Sequence, residues 1–235
     1  MQLHQVKQLG ENILNLFYPE VCLACNGLLH PQEKLICHHC LSEFPFTHYH
    51  LDHQNAIFER LSAIVKIEAA SALLLFNESD IIKELIHQLK YQNKQEIGRF
   101  LAQLTAEHLK NDAILSQIDY IVPVPLHPKK FKKRGYNQMS LFGQDLAQKF
   151  KIHYDEKILI KTKNTSSQTK KNAAERRQNV ANTFDIKNPE NYVGKHFLII
   201  DDVMTTGATI ESCAETILKK IPQSKVSVLT MTFVL

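Results

Sequence analysis

LIIDDVMTTGATI, residues 198–210, joins three unlike pieces. With Phe197 before it, the apolar run reads as a buried strand. Asp201 and Asp202 follow, and carboxylates are costly to bury unpaired. Thr205, Thr206, Gly207, Ala208 and Thr209 then form a small-residue loop that opens into a helix expected over 209–221. In an open parallel sheet, ligands sit beyond the carboxyl ends of the strands. There the N–H groups and dipole of a helix start favour an anion, and threonine hydroxyls add donors. The loop therefore reads as a phosphate cradle. Carboxylates suit a diol rather than a phosphate, so the whole stretch points to a phosphorylated sugar. No lysine follows the glycine, so this is not the GxxxxGK[ST] loop and nucleoside triphosphate hydrolysis is not indicated.

Outward from this stretch, strands alternate with helices. ASALLLF (70–76), IDYIVPVP (118–125), KILI (157–160), TFDI (183–186), HFLII (196–200) and the final KVSVLTMTFVL read as strands. Helices are expected at 81–89, where Ile81, Ile82, Leu85, Ile86 and Leu89 share a face, at 96–109 and at 136–150. Leu3, Val6, Leu9, Ile13, Leu16 and Phe17 recur at helical spacing, so residues 1–18 read as an amphipathic packing helix. The alternation implies an α/β fold with a parallel, Rossmann-like sheet covered on both faces.

With 44% apolar and 22% charged residues, the composition is that of a globular protein. No apolar run approaches the ~20 residues of a membrane span, and no secretory signal is visible, so a cytoplasmic location is expected. The net charge of +4 matters less than its distribution. Residues 129–134 and 161–177 hold 11 of the 28 Lys and Arg, against a single acidic residue, Glu175, and both segments read as loops. The first contains Lys129, Lys130, Lys132, Lys133 and Arg134, with Gly135 turning the chain into the next helix. The second is long and polar, which in a compact domain marks a functional or disordered segment.

Cys22, Cys25, Cys37 and Cys40 form two CxxC pairs eleven residues apart. In a chain without an export signal, that spacing suits a closed, structural tetrahedral zinc site. Gly27 favours the tight knuckle in which backbone N–H groups reach the sulfurs. His38 and His39 are weaker ligand candidates than the CxxC pairs. Cys213 shares a face with Ile210, Ala214 and Ile217 and reads as a core thiol. His48, His50 and His53 receive no role.

FLIIDDVMTTGATI resembles the phosphoribosyl pyrophosphate (PRPP) motif of type I phosphoribosyltransferases. VPVPLHP…RGYNQ, within residues 122–138, narrows the resemblance to the ComF family and related GntX-type proteins. The resemblance implies a type I phosphoribosyltransferase fold and a PRPP site made of Asp201, Asp202, Val203, Met204, Thr205, Thr206, Gly207, Ala208 and Thr209. In it, Asp201 and Asp202 are the catalytic pair holding the ribose diol, and 205–209 hold the 5-phosphate. The basic loop, with Tyr136, corresponds to the pyrophosphate loop, acting with Mg²⁺. The polar segment corresponds to a loop that closes over PRPP, carrying Gln168, Thr169, Arg176, Arg177 and Asn179.

ComF-family membership also implies a role in uptake of transforming single-stranded DNA, beside a helicase-like partner at the inner face of the cytoplasmic membrane. Both basic loops suit a DNA backbone, and Phe131 and Tyr136 suit base stacking. The competing reading is an active phosphoribosyltransferase that displaces pyrophosphate from PRPP with an unidentified nucleophile, outside DNA uptake. A third makes the zinc module a protein-docking element. The expected organisation is a helix over 1–18, a zinc module over 19–45, a connecting segment over 46–75 and a phosphoribosyltransferase-like domain over 76–235. Only one helix and one strand follow the motif, so any hood over a base is expected within 46–75.

Overall fold

The computed structural model describes residues 19–76, 80–162 and 183–235. The expected helix over 1–18 lies outside them. The helices are α1 (His38–Ser42), α2 (Ala56–Ser62), α3 (Asp80–Tyr91), α4 (Glu96–Leu109), α5 (Pro128–Arg134), α6 (Ser140–Phe150) and α7 (Ala208–Lys220). The strands are β1 (Ala69–Leu75), β2 (Tyr120–Pro123), β3 (His153–Tyr154), β4 (Leu159–Lys161), β5 (Phe184–Ile186), β6 (His196–Met204) and β7 (Lys225–Phe233). A five-stranded sheet runs β1-β7-β6-β2-β3, and every pairing in it is parallel. TFDI, expected as a strand, does form one, but it pairs antiparallel with β4 in a separate two-stranded ribbon.

Two apolar cores cover the two faces. One gathers Leu198 and Ile200 with Leu85, Leu89, Leu101 and Phe142 of α3, α4 and α6. The other gathers Phe197 and Ile199 with Leu61 of α2, Ile210 and Ile217 of α7, and Phe184. The alternation along β6 is the period of two that any strand imposes. All four side chains from Phe197 to Ile200 are buried, each worth about 1.5–3 kcal/mol. A slip of one residue would exchange their faces, so the register is fixed, and with it the faces of the two aspartates that follow.

The cysteine-rich stretch is fused to this body. Cys22, Ile36, Cys40 and Phe44 belong to the same core as Ile82 and Leu89. Gln88 Nε2 donates to the Leu23 carbonyl at 2.9 Å, and Leu75 N–H to the Pro45 carbonyl at 2.8 Å. Segment 46–75 is likewise part of the sheet domain, since β1 is its edge strand, so the boundary expected at 76 falls inside the domain. Within that segment Asn55 caps α2, its Oδ1 accepting from Ile57 and Phe58 N–H at 3.1 Å while Nδ2 donates to the Ala70 carbonyl at 2.7 Å.

The basic segment 129–134 is a helix, not the expected loop. His127 Nδ1 accepts from Lys129 N–H at 3.2 Å, Pro128 occupies the first turn, and Gly135 at φ 84° ends α5. These are ordinary start and stop signals. The cluster of like charges, unfavourable at i,i+4 spacing, obscured them. The next helix consequently begins at Ser140 rather than Tyr136.

Candidate functional site

β2 and β6 are neighbours, and the chain leaves them in opposite directions across the sheet. Such a switch point opens a crevice at the carboxyl ends of the strands. β6 outruns β2 there, because Pro123 pairs with Ile200 and β6 continues to Met204. Asp201, Val203 and residues 204–210 line a small cavity of about 40 Å³. The N-cap of α7 is Gly207, which has no side chain to cap the helix start. Thr205 and Thr206 are exposed and Thr209 half-buried. Gly207 has φ 81°, and a Cβ there would stand 3.0 Å from Leu61 Cδ2 and 3.1 Å from Met204 Cε. Only glycine satisfies both the left-handed backbone and the close approach of α2. From the same helix Arg60 Nη1 donates to the Thr205 carbonyl at 2.8 Å and the Val234 carbonyl at 2.9 Å. The connecting segment thus braces the cradle from behind.

The two aspartates part company. Asp201 has the strand parity of Phe197 and Ile199 and lines the cradle; Asp202 has that of Leu198 and Ile200 and points to the opposite face. Asp202 is buried and fully engaged: Lys90 Nζ lies 2.8 Å from Oδ1, and Gln138 Nε2 donates to Oδ2 at 2.6 Å. Asp201 Oδ1 accepts only the Asp202 N–H, at 2.9 Å, among the side-chain bonds described. Burial and then the neighbouring Asp202 carboxylate push Asp201 up to about 7, against the pull of Lys90. The two carboxylates thus leave the strand on opposite faces rather than side by side. The physical reason is strand alternation.

Across the crevice, Lys129, Lys130 and Lys132 of α5 are exposed, as is Phe131. Lys161 on β4 joins them. Burial and the nearby Lys130 hold its ammonium below the usual lysine range. Phe131 and Lys161 flank a cleft of about 240 Å³. Arg134 lies over the Tyr91 ring at 5.3 Å and donates to Gln138 Oε1. Tyr136 is half-buried and its hydroxyl donates to the Leu89 carbonyl, whereas the rings of Phe131 and Tyr91 are exposed. Gln168, Thr169, Arg176, Arg177 and Asn179 lie outside the described residues.

The four cysteine sulfurs lie within 4.8 Å of one another. Four thiolates about 2.3 Å from one zinc ion would stand about 3.8 Å apart. Cys25 Sγ and Cys37 Sγ are 3.8 Å apart. Backbone N–H groups reach the sulfurs as the knuckle requires: Gly27 to Cys25 at 3.4 Å, Cys37 to Cys22 at 3.3 Å, and Cys40 to Cys37 at 3.4 Å. The donor set and spacing fit zinc. His38 faces Glu33 instead, whose carboxylate accepts the N–H groups of His30 at 2.7 Å and His38 at 2.6 Å and so ties the two knuckles together. Cys213 is wholly buried in the core, as expected.

A family model for the phosphoribosyl transferase domain matches residues 140–234, which contain β6, the cradle, α7 and β7. DNA utilization protein YhgH of Escherichia coli O157:H7 is 29% identical over 207 residues, covering 85% of this chain and 84% of that protein. Competence protein F of Haemophilus influenzae is 27% identical over 221 residues, covering 90% and 96%. Competence protein ComFC of Bacillus subtilis is 26% identical over 236 residues, covering 90% and 94%. The chain is thus similar along most of its length to competence and DNA utilization proteins, and it matches a phosphoribosyl transferase domain over its last third and more.

In this chain, sequence reasoning missed Lys90, Gln138, Arg60 and Lys161 as site residues. Each comes from an element distant from residues 198–210 and meets the site only through the fold. Lys90 carried one usable signal. It ends an amphipathic helix whose buried face is Ile82, Leu85, Ile86 and Leu89, and a lysine next to such a stripe sits at the edge of the core.

Proposed function

We propose that this protein is a ComF-like competence factor whose phosphoribosyltransferase-type domain binds PRPP or a related phosphorylated ribose, and that it acts in the uptake of transforming single-stranded DNA. The observation that carries the reading is the cradle, in which the N-terminus of α7, Thr205, Thr206, Thr209 and the Asp201 carboxylate line one cavity facing a cluster of lysines. A 5-phosphate takes the N–H groups and hydroxyls, and Asp201 takes a sugar hydroxyl. A pyrophosphate at C1 lies toward Lys129, Lys130 and Lys161. Mg²⁺ bound with that pyrophosphate would neutralise its charge, and Asp201 is the oxygen donor that would hold it, a single carboxylate being usual for an ion that keeps most of its waters.

The exposed lysines of α5 and the exposed Phe131 ring suit a single strand of DNA as well, through phosphate neutralisation and stacking. The relatives' names, competence and DNA utilization, support a role in DNA uptake, beside a helicase-like partner at the inner face of the membrane. Among the described residues no helix is long and apolar enough to cross a membrane.

The test is binding of PRPP with Mg²⁺ and of a single-stranded oligonucleotide, first separately and then in competition. Both should bind, and PRPP should displace DNA. If PRPP binds and DNA does not at low salt, the DNA role is lost and an enzyme outside DNA uptake is favoured, with pyrophosphate release in the presence of candidate nucleophiles as its measure. If PRPP fails to raise the melting temperature, the cradle is not a PRPP site.

A further inference from the structure

Three imidazoles meet beside the edge strand β1. His48 and His50 come from the turn at Tyr49–Leu51, and His108 comes from the last turn of α4. Their ring centroids stand 5.4 Å (His50 to His108), 5.9 Å (His48 to His108) and 6.1 Å (His48 to His50) apart. Three imidazoles bound through nitrogen to one tetrahedral ion, at about 2.0–2.1 Å, would have their centroids about 5 Å apart. The three rings are within about 1 Å of that spacing. Their nitrogens are not gathered as the cysteine sulfurs are, since among the described residues only the four cysteines present ligand atoms within 4.8 Å of one another. Gathering them takes ring rotation rather than chain movement. The Cβ–Cγ bond of a histidine points through its ring, so rotation about it redirects both nitrogens and leaves the centroid in place, and that torsion is a soft one.

The surroundings hold the rings where they are. Thr47 N–H donates to the Leu73 carbonyl at 3.1 Å and its hydroxyl to the Ala72 carbonyl, so the chain entering His48 is fastened to β1. His48 holds a left-handed backbone at φ 55°, uncommon outside glycine, and so starts the turn that carries His50. Phe46 stacks on the His108 ring at 4.6 Å, and His108 Nδ1 lies 2.8 Å from the Leu104 carbonyl. A carbonyl only accepts, so Nδ1 carries the proton and Nε2 keeps its lone pair, as in histidines that ligate metals. Burial, then the neighbouring His108 and His48, hold the His50 imidazole below its usual value against the pull of Asp112, which favours the neutral form that ligates. Beneath the rings the packing leaves only about 10 Å³, lined by Ser71, Leu73, Thr105 and Leu229. An ion therefore sits outward, where His48 is exposed.

We propose that His48, His50 and His108 form a metal site of their own, for a divalent transition-metal ion such as Zn²⁺, distinct from the four-cysteine cluster. Its donors are all nitrogen, and three protein ligands leave one position for water. The ion clips residues 46–51, which cover the edge of β1 through the Phe46–Leu74 bridge, to α4.

The experiment is titration of the full chain with Zn²⁺, read as bound metal per chain and as melting temperature. His50→Ala and His108→Ala should each weaken the binding of one zinc by about tenfold or more, and so carry one zinc fewer than the wild type at micromolar free metal. The wild type should melt higher as that zinc binds, and neither variant should. His153→Ala, on β3 at the opposite edge of the sheet, should behave as the wild type. Where either substitution disturbs folding, His48→Ala, whose side chain is exposed, carries the same expectation. Equal zinc content in the wild type and the cluster variants overturns the proposal, because no metal then depends on these rings. An equal loss in His153→Ala means unspecific binding to surface histidines and overturns it as well.

Discussion

The four-cysteine cluster and the acidic pair behave in opposite ways. Cys22 and Cys37 are fifteen residues apart in sequence, and the fold brings their sulfurs into one cluster. Asp201 and Asp202 are adjacent in sequence, and the fold sends them to opposite faces of a sheet. The cysteines converge to the spacing that four ligands of one tetrahedral ion would need. The aspartates diverge because a strand alternates whatever its residues would bind. Distance along the chain is a poor guide to distance in a site, and neighbours on a strand are the case most easily misread.

The convergent region should give the largest effect when broken. Purified protein should carry about one zinc per chain, and Cys37→Ser should lose it along with most of the cooperative melting transition. Structural zinc contributes about 10–16 kcal/mol in small modules, and here the module shares its core with α3. Metal analysis with thermal denaturation checks this, and a metal-free protein purified without chelators would overturn it.

The divergent region is tested next, through Lys90. Lys90→Met leaves the Asp202 carboxylate buried without its counter-charge and should cost about 3 kcal/mol. Adding Asp202→Asn should restore a good part of that loss, since a neutral amide needs no counter-ion. Chemical denaturation of the two singles and the double measures the coupling. Additive losses would mean that the pair does not hold the two faces together.

Much of the architecture was legible. The strand patterns named six of the seven strands within a few residues, all but the two-residue β3, and α4 spans the expected 96–109. The Thr-rich turn and the cysteine spacing stood out because each needs particular residue types in a row or at a fixed interval. The contacts that complete the site were not legible. Lys90, Gln138, Arg60 and Lys161 are single residues of ordinary type, brought in by helix packing and strand order from parts of the chain as far as 145 positions away. The basic helix α5 was misread although its proline and glycine punctuation was present, because charge density was given more weight than start and stop signals.

Gly207→Ala sharpens the contrast on the cradle side. It places a methyl 3.0 Å from Leu61 Cδ2 on a backbone with φ 81°, and should cost about 1–3 kcal/mol. Sugar-phosphate affinity should fall further than stability does, because the shift falls on the loop that holds the phosphate. Equal losses in titration and denaturation would mean that the loop does not grip the ligand.

The smallest effect is the one confined to a pH window. With its folded-state value raised to about 7, Asp201 is neutral at pH 5 and charged at pH 8. The native state binds the extra proton, so this group favours folding at low pH and the advantage is lost as pH rises toward and through 7. Asp201→Asn stays neutral throughout. It should melt at nearly the wild-type temperature near pH 3, below the unfolded-state carboxylate value, and progressively higher than wild type as pH rises through 7. No pH-dependent difference would mean that Asp201 is ionised normally and that the cradle is more polar than its burial suggests.

One feature of the sheet also has a consequence in time. β1 ends at Leu75, and its single sheet neighbour, β7, begins at Lys225. A ribosome adding about 5–20 residues per second needs roughly 8–30 s to make the intervening chain. For that interval AASALLL lacks its parallel strand partner and has only the short antiparallel bridge from residues 45–47. The cradle waits as well, because Arg60 is made 145 and 174 residues before its acceptors at Thr205 and Val234. A nascent chain of this protein is therefore without its site until β7 has emerged, and any ligand that stabilises the site can act only from then on.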